Sequence, residues 1–158
     1  MADPIPLTHI DQPVTDSAGN GDGFQYRYRR LGPELGLAKL GCSLYVVPPG
    51  KKAFPYHGHR AIEELFLILA GSGTLRYQGQ ERPVRAGDLI AAPLGKAHQL
   101  LNTSSEDLSY LAISNMAPLD LVLYPDSNKL LAYSELDDDA IRHISRLDDT
   151  RDYYDGEG

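Results

Sequence analysis

Residues 57–64 read His57-Gly58-His59-Arg60-Ala61-Ile62-Glu63-Glu64, and a further histidine, His98, follows about forty residues later. Side chains at positions i and i+2 of a strand point to the same face, so His57 and His59 face one way in an extended chain. A carboxylate follows within a short turn, from either Glu63 or Glu64. Nitrogen and oxygen donors this close together indicate a metal site.

The composition of the chain predicts one soluble domain. Its 158 residues, 42% of them hydrophobic, suffice for a single packed core. The longest apolar run, Leu65–Ala70, is far too short to cross a bilayer, and the first residues lack the pattern of a secretory signal. A single cysteine, Cys42, excludes an internal disulfide and is expected to be a small buried hydrophobe. We therefore expect a cytoplasmic protein with no membrane partner.

The net charge of −7 is concentrated near the carboxyl end. Residues 134–158 hold nine acidic and three basic side chains, a net charge of −6, whereas the first 133 residues carry only −1. Neither part offers the basic patch that binding to a phosphate backbone requires. Nucleic acid is therefore not an expected partner.

Short strand-like segments separated by glycine and proline turns fill the middle of the chain. We predict strands in segments rich in apolar and β-branched residues, at 24–29, 41–47, 51–57, 64–69, 74–77, 82–84, 89–92, 97–101, 108–114 and 119–124. Hardly any helical periodicity interrupts them. This pattern predicts an all-β sandwich or barrel.

The two ends of the chain are less regular. Residues 1–36 are predicted to form an irregular arm with a short strand near Leu7–Ile10, followed by the strand at 24–29, whose basic residues form a solvated face. Ser134 with an acid three residues later resembles a capping box, which predicts a short helix through Ile144. The polar, aromatic stretch Arg151–Gly156 is expected to be loosely ordered or docked on the barrel.

Two groups of residues resemble the two motifs of the cupin family. The first motif, G-x5-H-x-H-x3,4-E-x6-G, is matched by Gly50, His57, His59, Glu64 and Gly71, with one extra residue before His57. The second, G-x5-P-x-G-x2-H-x3-N, is matched at every position by Gly87, Pro93, Gly95, His98 and Asn102. The resemblance covers about residues 37–116 and implies a double-stranded β-helix, or jelly-roll barrel.

The cupin resemblance also implies a metal centre and a domain plan. The family's ligands fall on His57, His59, Glu64 and His98, since the six residues before Gly71 select Glu64 over Glu63. Such donors suit a divalent ion such as Mn, Fe, Zn, Ni or Co. Residues 1–158 are then a single cupin domain with a barrel core at about 37–116, an amino-terminal arm and strand at 1–36, and an acidic carboxyl-terminal extension at 117–158. Asn102 is expected to bind backbone at a strand end.

The pocket around the ion is expected to be mostly apolar. Strand alternation places Leu100 and Asn102 on the side of His98, and Phe66 and Ile68 on the side of Glu64. Five further polar residues lie near enough in sequence to line the pocket, with a packing or surface role expected for each: Tyr45, Tyr56, Arg76, Gln99 and Tyr110. The sequence identifies no catalytic residue beyond the metal ligands.

Two functions remain open at this level. The first is a metal-dependent enzyme on a small polar metabolite, either isomerase-like or dioxygenase-like, since three histidines and one glutamate leave positions free on an ion. The carboxyl-terminal tail resembles a bacterial cupin branch sometimes labelled sugar-phosphate isomerase. The alternative is a non-catalytic module that binds or senses a small molecule, because no acid/base pair stands beside the ligands. The resemblance further implies a homodimer formed through the outer sheets.

Overall fold

The computed structural model describes residues 5–136 and 140–158. It contains thirteen strands in these segments, and all but one, Gly58–His59, are four residues or longer. The strands are β1 (Asp16–Asn20), β2 (Phe24–Arg30), β3 (Leu40–Val47), β4 (Gly58–His59), β5 (Glu64–Ala70), β6 (Ser72–Tyr77), β7 (Gln80–Arg85), β8 (Leu89–Ala92), β9 (His98–Leu101), β10 (Leu108–Asn115), β11 (Leu119–Tyr124), β12 (Lys129–Ser134) and β13 (Ile141–Arg146). One helical turn, α1 (Leu31–Glu34), and a 3₁₀ turn at Pro125–Ser127 complete the regular structure of the described residues.

The strands form three sheets. A six-stranded sheet has the order β1-β2-β3-β10-β5-β8, a three-stranded sheet has the order β7-β6-β9, and a four-stranded sheet has the order β13-β12-β11-β4. The core lies between the first two sheets, where Ile68 and Tyr110 of the large sheet pack with Val84 and Leu100 of the small one. This is the predicted all-β fold, a double-stranded β-helix.

Alternation along the strands decides which side chains enter the barrel. In β5, Phe66 and Ile68 are buried in the core, whereas Leu65 and Leu67 point outward and keep part of their surface in solvent. In β9, His98 and Leu100 are buried, but Gln99 between them is buried as well, at 6% exposure. The predicted inward parity therefore holds for β5, whereas burial in β9 does not alternate.

The amino-terminal arm departs from the prediction in two respects. Leu7–Ile10 is not a strand, and the first strand is instead β1, whose sequence Asp-Ser-Ala-Gly-Asn has little β propensity and pairs along β2. Arg29 of β2 is also not solvated, since it is only 8% exposed. Its guanidinium donates to Glu34, to Gln12 and to the backbone of His9, so it pins the arm to the barrel.

The predicted helix from Ser134 through Ile144 is wrong. Ser134 ends β12 and Ile141 begins β13, and these two strands pair in antiparallel register, with Tyr133 opposite Arg142. Strand pairing prevails over the helix that the capping pattern predicted, because the edge of β12 offers a full row of backbone partners to Ile141–Arg146. The middle of the predicted helix, residues 137–139, lies outside the described residues.

Candidate metal centre

The predicted donors come together at one end of the barrel. His57 and His98 form a backbone bridge, in which each N–H donates to the carbonyl of the other residue at 3.2 and 2.8 Å. Gly58 permits this approach, because a Cβ on it would lie only 3.1 Å from the backbone nitrogen of Ala97. His59 follows in β4, and Glu64 opens β5 between β8 and β10.

The side chains of three of these residues point at a common space, and His59 lies beside them. His57, Glu64 and His98 each offer a ligand atom, and these atoms lie within 4.8 Å of one another. The Oε2 atom of Glu64 is 2.9 Å from Nε2 of His98 and 3.5 Å from Nε2 of His59. Two ligands bound to one ion at about 2.1 Å are roughly 3 to 4.2 Å apart, so the contacts of Glu64 are at or close to that spacing.

A hydrogen bond fixes the other ring nitrogen of each histidine. The Nδ1 atoms of His57 and His98 lie 2.8 and 3.0 Å from the backbone carbonyls of Pro55 and Lys96. The Nδ1 atom of His59 lies 2.5 Å from the carboxylate of Asp120. A carbonyl oxygen only accepts hydrogen bonds, so Nδ1 of His57 and His98 must donate. The Nε2 atoms of both rings are the ones that face the common space.

Two buried atoms at the centre lack a conventional partner. Oε2 of Glu64 and Nε2 of His98 make no hydrogen bond to any residue that the structure describes, although they lie 2.9 Å apart. A carboxylate oxygen and an imidazole lone pair repel at this distance, so either a proton on Nε2 of His98 or a metal ion must lie between or beside them. The donor set therefore fits a bound cation, and nitrogen and carboxylate ligands suit a borderline divalent metal.

The electrostatics keep these groups in the forms that bind metal. Burial, reinforced by the neighbouring His98, lowers the pKa of His57 to about 4, so its imidazole is neutral at pH 7. Burial raises the pKa of Glu64, but the contact with His98 and the other two histidines outweigh it and hold that pKa below its ordinary value. A neutral imidazole and an ionised carboxylate are both ligand forms.

A pocket of about 270 Å³ opens onto the donors. The barrel contributes mainly apolar and aromatic side chains to it, among them Tyr45, Phe54 and Phe66. The carboxyl-terminal strands β11, β12 and β13 supply the opposite wall, which consists of Val122, Tyr124, Leu131, Tyr133 and Arg142. A larger surface groove of about 530 Å³ is lined by β1, β2 and Pro48 instead, away from the donors.

The polar residues considered from the sequence divide between the pocket and other places. Tyr45 lines the pocket, and Tyr110 lies just beneath it, 2% exposed, in a small cavity that also touches His57 and Glu64. Gln99 lines that cavity too and donates to the backbone of Phe54. Arg76 and Tyr56 belong to another surface, where the guanidinium lies 3.9 Å from the ring centre and pairs with Asp126.

Four residues of this region were not found from the sequence: Asp120, Tyr124, Tyr133 and Arg142. All lie in the extension after residue 116, beyond both motifs. Tyr124 stacks on His57, with ring centres 6.1 Å apart and planes 26° from parallel. For Asp120 and Tyr124 the signal was the predicted strand at 119–124, which places Asp120, Val122 and Tyr124 on one face. Tyr133 and Arg142 lie outside that strand.

Comparison with known proteins agrees with this structure. The described fold superposes on a candidate sugar phosphate isomerase from Acidithiobacillus ferrooxidans with a TM-score of 0.84 and 27% identity, covering 93% of this chain and 96% of that one. A cupin-superfamily sugar phosphate isomerase from Silicibacter pomeroyi gives a TM-score of 0.72 and 25% identity over 82% of each chain.

A sequence relative of different name is Auxin-binding protein 1 of Arabidopsis thaliana. It is 35% identical over 100 residues, which cover 58% of this chain and 50% of that protein. The chain thus spans about half the length of the curated relatives it matches. None of the described helices has the length and apolar character of a membrane span. Residues 43–114 match the family model of the cupin domain, so this part of the chain is similar to the cupins.

Proposed function

We propose that this protein is a metal-dependent enzyme that acts on a small polar metabolite, with His57, His59, Glu64 and His98 as the ligands of one divalent ion. The observation that carries the proposal is the convergence of His57, Glu64 and His98 beside a 270 Å³ pocket that His57, His59 and Glu64 line. One buried atom each of Glu64 and His98 lacks a hydrogen-bond partner among the described residues. The ion, when bound, polarises a carbonyl or hydroxyl oxygen of the substrate.

The wall opposite the donors favours an anionic substrate. Arg142 is exposed and lines the pocket, so its guanidinium stands where the pocket meets solvent. A divalent ion and Arg142 are positive charges at this pocket, and the carboxylates of Glu64 and Asp120 offset the charge of the ion. Guanidinium groups bind phosphate and carboxylate in bidentate fashion. A phosphorylated sugar combines such an anion with the hydroxyl and carbonyl oxygens that an ion can polarise.

The tyrosines around the pocket act as hydrogen-bond donors in this proposal. Burial raises the pKa of Tyr45 and raises that of Tyr110 well above its ordinary value. Burial also raises the pKa of Tyr124, against the opposing effect of Arg142. All three phenols thus keep their protons at pH 7, so Tyr45 and Tyr124 can donate to substrate oxygens in the pocket. Sugar-phosphate isomerase-like chemistry is the activity we favour, supported by the names of the two structural relatives.

Turnover of a sugar-phosphate panel tests this proposal. Aldose and ketose phosphates are incubated with the metal-loaded protein, and interconversion is followed by NMR. We expect conversion that is abolished in His98→Ala and a KM raised about tenfold or more in Arg142→Gln, because one charge-assisted interaction is lost. Arg146→Gln is the matched control, since Arg146 lies on the same strand and does not line the pocket. An equal KM in both arginine variants would show that Arg142 does not contribute to substrate recognition.

One observation supports the alternative, a cupin that binds a small molecule without turnover. Of the described residues that line the pocket, Glu64 is the one carboxylate, and it is already engaged with the histidines. An isomerase needs a base that moves a proton next to the ion. Stoichiometric retention of a sugar phosphate without conversion, measured by calorimetry and NMR, would establish the binding function instead.

A further inference from the structure

A buried carboxylate outside both cupin motifs is bonded to one of the proposed ligands. Asp120 belongs to β11, in the carboxyl-terminal extension, and is 1% exposed. Its Oδ2 atom lies 2.5 Å from Nδ1 of His59. Its Oδ1 atom accepts hydrogen bonds from the backbone N–H groups of Arg60 and Ala61, at 2.9 and 2.7 Å. Both oxygens are therefore engaged by the segment that carries His59.

The backbone holds this contact in register. Val122 pairs with His59 and Leu123 pairs with Gly58, so β11 runs antiparallel beside β4. The two backbone hydrogen bonds to Oδ1 fix the plane of the carboxylate and leave Oδ2 aimed at the imidazole. A carboxylate only accepts hydrogen bonds, so Nδ1 of His59 must carry the proton. Its Nε2 atom then keeps a free lone pair, directed toward Glu64 at 3.5 Å.

His59 differs from the other two histidines in how its ring is held. His57 and His98 each bond a backbone carbonyl two residues earlier in the chain, which no side-chain substitution can change directly. His59 depends on a side chain some sixty residues away in sequence. Its tautomer can therefore be altered by a single substitution.

We propose that Asp120 is a positioning residue that selects the tautomer and the orientation of His59, so that the carboxyl-terminal extension completes the metal site. The expected effect of Asp120 on metal affinity rests on the proposed metal site. Its effect on the tautomer of His59 does not, because that tautomer is a property of the metal-free chain. Carboxylate partners of metal-bound histidines orient the ring and raise its basicity, and their loss lowers metal affinity by about 10- to 100-fold.

Asp120→Asn reverses the hydrogen bond with little change of shape. The amide oxygen still accepts from Arg60 and Ala61, since the opposite amide orientation would set three donors against one another. The amide nitrogen must then donate to Nδ1 of His59, which moves the ring proton to Nε2 and blocks that atom as a ligand. Asp126→Asn is the matched control, because Asp126 is exposed and pairs with Arg76 away from the site.

The test measures the tautomer and the metal affinity separately. In the metal-free wild-type protein, ¹⁵N NMR is expected to show His59 protonated at Nδ1, and in Asp120→Asn at Nε2. Competition with a chelator for Mn²⁺ or Zn²⁺ is expected to show about 10- to 100-fold weaker binding in Asp120→Asn and no change in Asp126→Asn.

Three results would count against this role. Protonation at Nε2 in the wild-type protein overturns it even if no variant folds. An unchanged tautomer in Asp120→Asn overturns it as well, as does an affinity within twofold of the wild type. If the wild-type protein binds no metal while its tautomer is as expected, the proposed function fails and the positioning of His59 stands.

Discussion

Replacement of Asn102 tests whether the last residue of the second motif holds the fold or serves the site. Asn102 is 1% exposed, and its amide nitrogen donates to the carbonyls of Val47 and Glu106, both at 2.7 Å. Its amide oxygen accepts from the N–H and the hydroxyl of Ser104, at 3.0 and 2.9 Å. One side chain thus ties the end of β3 to the loop that leads into β10.

The expected cost of Asn102→Ala follows from these four bonds. Val47 is 0% exposed, so its carbonyl loses a donor that water cannot replace, at about 1–3 kcal/mol. Glu106 and Ser104 lie nearer solvent and can recover part of their bonds, so the other losses add about 1 kcal/mol. The total, about 2–4 kcal/mol, corresponds to a Tm lowered by roughly 5–15 °C in a chain of this size.

Urea denaturation of two alanine variants provides the measurement. Asn115→Ala is the matched control, since Asn115 also bonds two backbone groups, the N–H of Glu63 and the carbonyl of Ala61, but is exposed. We expect Asn115→Ala to cost about 1 kcal/mol or less, with metal content per folded molecule unchanged in both variants. Equal destabilisation of the two variants, or loss of metal from folded Asn102→Ala, would refute the structural role.

Three further predictions concern other parts of the chain. Gly71→Ala is expected to lower Tm in a thermal melt, because Gly71 has φ +77° and a Cβ would lie 2.3 Å from the carbonyl oxygen of Asp107; an unchanged Tm would contradict this. Arg29 donates to Glu34 and holds the pKa of that carboxyl below its ordinary value, so the pair stabilises the fold above about pH 4.3 and loses this effect as the pH falls through the folded-state pKa. The urea midpoint of Glu34→Gln should therefore vary less with pH in the acid range than that of the wild type. An identical pH dependence in the two proteins would show that the Arg29–Glu34 pair does not stabilise the fold. Leu67, with its register partners Leu89 and Leu111, forms an outward apolar row, so we expect light scattering to show a homodimer that Leu67→Lys converts to monomer; a monomeric wild-type protein would refute the dimer.

Part of the candidate site could be predicted from the sequence. Strand alternation put His57 and His59 on one face, and the match to the cupin motifs selected Glu64 and His98. The fold brings ligand atoms of His57, Glu64 and His98 within 4.8 Å of one another, and their binding of a metal ion stays a prediction. Asn102 likewise binds backbone at a strand end, as predicted.

The surroundings of the site depend on pairing that no local pattern reveals. Asp120 meets His59 only because β11 aligns with β4 from across the chain. Arg142 reaches the pocket only because Ile141–Arg146 pairs with β12, where the local capping pattern had predicted a helix. Arg29 was predicted to be solvated, since a strand pattern does not show that an irregular arm will cover it.

The metal content of the protein as purified tests the central claim most directly. Elemental analysis should find about one equivalent of a divalent transition metal per chain in the wild type, and nearly none in folded His98→Ala, which removes a ligand from the centre. Metal added to the stripped wild-type protein should raise its Tm, since a ligand that binds only the folded state stabilises it. A wild-type protein that carries no transition metal, and whose Tm does not respond to Mn, Fe, Co, Ni or Zn, would contradict the account.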